Sequence, residues 1–195
     1  MANIFPNLKR ITQENSFYCG PASLQMLLSF YHVSIDQQSV VDSLNISHKI
    51  AMHGMTIQEM GQFVKTNFPQ LQFWYKFNSS IDELFQLVNN FKLPIGVEWQ
   101  GIFDYPDEEI LEDEDDDPGH IAVVTEVNIE KDFVKIADPD SHYAGTDRTI
   151  SLQQFEYRWW DINEINGQQI NDFHGLFLIT PVTFSFPESL KLIKP

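Results

Sequence analysis

Cys19 is the single cysteine of a 195-residue chain, and it stands where a helical pattern begins: Leu24, Leu27, Leu28 and Tyr31 recur behind it at i, i+3, i+4 and i+7. A thiol at a helix N-terminus feels the positive end of the helix dipole and the free N–H groups there. Both favour the thiolate and raise its nucleophilicity near neutral pH. Gln13 lies six residues upstream. A loop between the two can set the Gln13 amide N–H beside the backbone N–H of Cys19, a pair of donors suited to an oxyanion. Lone cysteines in soluble proteins are mostly small buried hydrophobes. The nucleophile reading therefore needs a base and a group that orients it.

Six histidines are available: His32, His48, His53, His120, His142 and His174. His120 is set apart because Gly119-His120 opens the apolar run Ile121 to Val127, and a strand's first residue can project into a cleft. A partner strand over Asp132 to Ala137 follows across a turn at Asn128 to Lys131. Pro139 stops its ladder and leaves Asp138 at the exit. Antiparallel pairing puts the start of one strand beside the end of the other, so the spacing predicts Asp138 next to His120. Asp138 would accept a hydrogen bond from one ring nitrogen and leave the other facing Cys19. Trp99 and Gly119 are candidate substrate-binding residues, with Trp160, His53 and His142 as weaker ones. Aromatic residues at helix and strand spacing are more often core than groove.

Gln13, the turn Cys19-Gly20-Pro21-Ala22, the segment Gly119-His120-Ile121-Ala122-Val123-Val124 and Asp138-Pro139 stand in an order that resembles the papain superfold. Within it, they resemble the bacteriocin-processing, double-glycine-leader peptidase-like family, over residues 10 to 140 or so. The resemblance implies Cys19 as nucleophile, His120 as base and acid, Asp138 as orienting residue and Gln13 as oxyanion donor. It implies a cysteine peptidase or amide hydrolase that acts on a peptide-like substrate through a thioester at Cys19. An acyl transferase would share the thioester and differ only in the acceptor. Relatives in that family sit on the cytoplasmic face of a transporter and cut after a double glycine. No transporter segment follows the peptidase-like region here, so the chain reads as a stand-alone member. From a different class, a non-catalytic module of the same fold would use the cleft to hold a peptide or small molecule.

The elements that must position these residues are legible as patterns. Behind the Cys19 helix, Ile35 to Leu44 reads as a second helix capped by Ser34 or Asp36. Thr56 to Asn67 is a third, with Thr56 and Glu59 forming a capping box after a turn at His53-Gly54. Leu71 to Phe77 reads as a strand and Ser80 to Phe91 as a helix. Beyond Pro94 come strands over Pro94 to Trp99, Ile121 to Val127 and Asp132 to Ala137, a helix over Ser151 to Trp160, and a last strand over Gly175 to Thr180. Helices first and an antiparallel sheet second is the α+β class, a helical lobe packed on a sheet with a cleft between them.

At this length the chain reads as one domain over 1–195, and a hydrophobic fraction of 43% with sixteen phenylalanines is enough for a core. The formal charge of −16 is concentrated: ten acids fall between Asp104 and Asp117, leaving 18 acids against 12 basic residues elsewhere. Residues 104–117 read as an acidic loop insertion, solvated by its own repulsion, with Ca²⁺ or a basic partner as its candidate occupants. No basic stripe exists to meet a phosphate backbone, so nucleic acid is disfavoured. One cysteine excludes a disulfide framework and a multi-thiolate zinc site, and the sequence points to no cofactor. Neither a signal peptide nor an apolar run of about 18 residues is present, which makes a cytoplasmic protein without a membrane span the expectation.

Overall fold

The computed structural model describes residues 4–101, 119–143, 145–165 and 168–195. The central helix α1 (Cys19–Phe30) is buried along nearly its whole circumference, with Leu24, Met26, Leu27 and Leu28 at most 1% exposed. Its N-cap, Tyr18, makes no side-chain cap. Pro21 falls in the first turn, where a missing N–H costs nothing. Around it stand α2 (Gln37–Leu44), capped by Asp36 on the Ser39 N–H, the short α3 (Ile50–His53), and α4 (Ile57–Asn67) with the Thr56/Glu59 capping box formed in both directions. A second capping box, Ser80/Glu83, starts α5 (Ile81–Phe85), which runs on as one π-helical turn over Gln86–Asn90.

The strands are β1 (Leu71–Lys76), β2 (Ile95–Gln100), β3 (Gly119–Asn128), β4 (Phe133–Ala137), β5 (Asp147–Ser151), β6 (Trp160–Ile165), β7 (Gln168–Phe173) and β8 (Leu176–Pro181). Six of them form one antiparallel sheet in the order β1-β8-β2-β3-β4-β5, and β6 with β7 make a separate two-stranded ribbon. Helix α1 packs on β3, where the Ser23 hydroxyl donates to the Ile121 carbonyl. Every residue of β2 is buried, because both of its faces are covered. Gly96, Glu98 and Gln100 share one face of it, and Trp99 points to the other, against Phe155 of α6 (Leu152–Arg158). Gly96 is required at its position, since a Cβ there would collide with the Phe177 ring. Buried residues of the helices and the sheet belong to a single core cluster.

The α+β class and the helical lobe on an antiparallel sheet are as expected, with three differences. The helix read over Ser151 to Trp160 ends at Arg158, and Trp160 instead begins the β6–β7 ribbon. That ribbon carries Asp161, Asn163, Asn171 and Asp172, residues of low strand propensity, so no local signal announced it. β5 is likewise a short polar strand that exists by pairing with β4. The acidic run 104–117 lies outside the described residues.

Candidate active site

The site is assembled where the N-terminus of α1 meets the first residues of β3. Cys19 is the first residue of α1 and is partly exposed. It lines the same cleft as His120, the second residue of β3, and lies near enough to bear on the titration of that ring. His120 is 4% exposed, and its Nε2 lies 2.8 Å from Oδ1 of Asp138, which directly follows β4. With Nε2 engaged by the carboxylate, Nδ1 is the nitrogen left for the thiol. Gly20 keeps the helix close to its neighbours: a Cβ there would approach Met55 to 3.0 Å and the Ile121 side chain to 3.5 Å.

Asp138 is held from three directions. Its Oδ1 also accepts the Asp140 backbone N–H at 3.0 Å, and its Oδ2 accepts Nη1 of Arg148 at 3.0 Å. Arg148 belongs to β5, lies over the Tyr143 ring at 3.9 Å, and is 5.5 Å from the Trp99 ring. Burial disfavours charge on both members of the His120–Asp138 pair, yet their mutual attraction outweighs it. His120 is raised to about 10 by Asp138 and, to a smaller extent, by Cys19, and Asp138 is held below its ordinary range by His120 and Arg148. The arrangement therefore favours an imidazolium held against a carboxylate, in the same cleft as the Cys19 sulfur.

Gln13 lines the same cleft as Cys19 and His120. One Nε2–H donates to the Asn15 carbonyl at 2.9 Å, and Oε1 is buried without a partner among the described residues. Its backbone is fixed on both sides. The Gln13 N–H donates to the Pro139 carbonyl at 2.8 Å, and the buried side chain of Gln37 bridges its neighbours, accepting from Glu14 N and donating to the Thr12 carbonyl. Farther back, Arg10 grips Asp147 through two N–H groups, at 2.6 and 2.7 Å, and Thr125 donates to the same carboxylate at 2.7 Å. The loop carrying Gln13 is thus tied to the strands that carry His120 and Arg148.

The cleft has a volume of about 820 Å³. Its walls include Phe17, residues of α3 and the following turn from Ile50 to Met55, and, opposite, Gln100, Gly119, Asp161, Ile162 and Asn163. Gly119 and His53 reach it. Trp99, expected to line the groove, does not: it is fully buried behind His120, on the face of β2 turned toward Phe155. Trp99 pairs directly with His120 and shares its face of the sheet, but it lies deeper, covered by Phe155 and Arg148, whereas Gln100 at the end of β2 reaches the cleft. His142 stands apart from the cleft, paired with Asp140 at 2.7 Å, and Trp160 does not line it either. Residues that sequence patterns did not single out are Arg148, Gln37, Glu98 and Asp161. Only their tertiary neighbours mark them, because each acts across more than twenty positions of chain or from an element without a local signature.

Residues 5–166 match the model of the Peptidase_C39 like family. Among solved structures, the peptidase domain of Streptococcus ComA, a bifunctional ABC transporter of a quorum-sensing pathway, is similar at a TM-score of 0.61 and 17% identity, covering 89% of this chain and 98% of that one. A C39-like peptidase from Bacillus anthracis aligns at a TM-score of 0.57 and 16% identity, over 88% of this chain and 94% of the other. A double glycine motif protease from an AMS/PCAT transporter, in complex with the leader peptide, aligns at 0.55 and 16%, over 88% and 90%. At such identities the likeness is one of fold. No curated protein matches the chain. Among the described residues, no helix is long and apolar enough to cross a membrane.

Proposed function

We propose that this chain, which belongs to the Peptidase_C39 like family, is a cysteine peptidase or amide hydrolase acting on a peptide-like substrate in the cleft beside Cys19. The observation that carries this reading is the gathering of Cys19, His120 and Asp138 at the mouth of α1, with Nε2 of His120 2.8 Å from the carboxylate and Cys19 beside His120 in the cleft.

In this reading the Cys19 thiolate adds to the substrate carbonyl carbon, and the negative charge moves to the carbonyl oxygen. The backbone N–H at the start of α1 and the remaining Nε2–H of Gln13 stabilise that oxyanion. His120 then gives its Nδ1 proton to the departing amine as the C–N bond breaks, leaving a thioester at Cys19. Water attacks the thioester while His120 takes a proton from it, and the C–S bond breaks to return the thiolate. Asp138 keeps Nε2–H oriented throughout and Arg148 holds Asp138. A neighbour solved with a leader peptide supports a peptide as the class of substrate. The protein is expected to work in the cytoplasm, where a reducing environment keeps the thiol free.

The test pairs reactivity with turnover. Alkylation of Cys19 by iodoacetamide at pH 7 is expected to outpace that of free cysteine and to drop about tenfold in His120→Ala, because a free thiol is only a few per cent ionised there. Cys19→Ala is expected to lose hydrolysis of a peptide pool entirely. Full hydrolysis by Cys19→Ala overturns the proposal.

A further inference from the structure

The wall of the cleft opposite α3 and the strand beneath it carry three acidic side chains, Asp161 and Glu98 buried and Asp172 half-buried, that take no step in the hydrolytic relay. Asp161 and Asp172 face each other across the β6–β7 ribbon as direct register partners, a placement that costs stability between like charges. Beneath them lies Glu98 of β2, 2% exposed, whose charge couples to those of Asp161, Asp172 and Cys19. The donors that serve this group are few. Asn163 donates to Asp172 at 3.0 Å and lies near enough to Glu98 to favour its charged form; Gln100 donates to Asp161 at 3.3 Å; and the Ile162 backbone N–H donates to Asp161 at 2.7 Å.

One buried atom is left over. Oε2 of Glu98 has no hydrogen-bond partner among the described residues, and it lies at the root of the ribbon, where a Cβ on Gly175 would come within 3.2 Å of it. Such an orphaned carboxylate oxygen is costly unless something occupies its place. The sequence also makes room for Asp161. Gly119 is the residue before His120, and any side chain there would collide with the Asp161 carboxylate, which lies directly over it and lines the cleft. Burial, reinforced by Asp172, raises Asp161 to about 7, and burial with the neighbouring carboxylates raises Glu98 as well. Among the described residues no three His, Cys, Asp or Glu side chains are arranged to hold a metal ion. Beyond His120, whose charge already bears on Asp161, the further counter-charge is best met by an extended cation with its own hydrogen-bond donors.

We propose that Asp161, backed by Glu98 and Asp172, forms a subsite that receives a basic side chain of the substrate, an ammonium or guanidinium group, next to the residue bound at Cys19. This rests on the peptidase reading of the same cleft. The two are separable by experiment, because one concerns the reactivity of the thiol and the other the charge of what approaches it.

The probe is a pair of thiol reagents, neutral methyl methanethiosulfonate and its cationic aminoethyl counterpart, each of which forms a mixed disulfide with Cys19 and releases methanesulfinate. Their rate ratio is measured in the wild type, Asp161→Asn, Glu98→Gln and a charge-matched control, Glu130→Gln, in the exposed turn at the far end of β3. The measurements are made in 1 M salt, where the screening length is about 3 Å and the general field of an acidic protein is suppressed. The cationic-to-neutral ratio is expected to fall about threefold or more in Asp161→Asn and in Glu98→Gln, and to stay at the wild-type value in Glu130→Gln. Ratios in the first two variants equal to that of Glu130→Gln would overturn the subsite. A neutral-reagent rate no greater than that of free cysteine would count against the peptidase reading and leave the ratio test intact.

Discussion

His120 and Asp138 meet as diagonal neighbours across β3 and β4. Val123 pairs with Ala137, so the same register carried outward sets Asp138 opposite Ala122, two residues in from His120 on the same face. The bulge at Thr125 shifts the hairpin into this register. Diagonal partners are within reach of long side chains, and here the reach ends in a 2.8 Å contact. The diagonal leaves room on the outer side of Asp138 for Arg148 and for the Asp140 N–H.

The pH dependence of stability is expected to fall into two windows. A His whose folded pKa is about 10 adds stability that is complete below about 6.5 and lost as the pH rises to 10. An Asp raised to about 7 makes stability fall as the pH rises from about 4 to 7, because the unfolded carboxyl ionises first. The thermal midpoint of the wild type is thus expected to decline on the alkaline side. His120→Gln removes the decline between pH 6.5 and 10 and keeps the lower one, while Asp161→Asn keeps the upper decline and lessens the lower one, to which Glu98 and Asp172, also raised, still contribute. A midpoint flat from pH 4 to 10 in the wild type would refute both assignments.

Arg148→Met is expected to destabilise the fold by on the order of 3 kcal/mol, since it removes one partner of a buried pair and empties the space over Tyr143. Urea unfolding reads this directly. Arg148→Lys keeps the charge but loses the planar stacking, and is expected to recover only part of the loss.

Gln13→Ala is expected to lower kcat by about 10² to 10³ while changing KM little, the signature of a donor that acts on the transition state. Gln37→Ala leaves the Gln13 side chain in place and releases the backbone on both sides of it. Its expected effect is a smaller loss in kcat, accompanied by faster amide exchange at Glu14. An unchanged kcat in Gln13→Ala would move the oxyanion donor elsewhere.

Gly119→Ala tests the packing beneath Asp161. A methyl group has to displace the carboxylate, and a cost of about 1–3 kcal/mol is expected in thermal or urea unfolding. Combining it with Asp161→Gly is expected to recover a large part of that loss, because the clash then has no partner. A double variant no more stable than Gly119→Ala would show that the strain lies in the backbone.

What the sequence determines by itself is local: the helix that starts at Cys19, the caps at Asp36, Thr56 and Ser80, and the hairpin whose ends bring His120 and Asp138 together. Each follows from hydrophobic period, from a side chain that reaches a backbone N–H three residues on, or from a turn a few residues long, and none needs the rest of the chain. The α+β order follows for the same reason. The strict alternation of β2, Ile95-Gly96-Val97-Glu98-Trp99-Gln100, already set Trp99 on the apolar face with Ile95 and Val97, and tertiary structure decided there only that the polar face of the strand is covered as well. Tertiary structure also decided that Arg148 holds Asp138, that Gln37 frames Gln13 across 23 to 25 positions of chain, and that Asp161 sits over Gly119. Buried polar groups such as these are specified by what surrounds them in space, so a carboxylate on a weak polar ribbon looks like any surface acid until the fold places two others beside it.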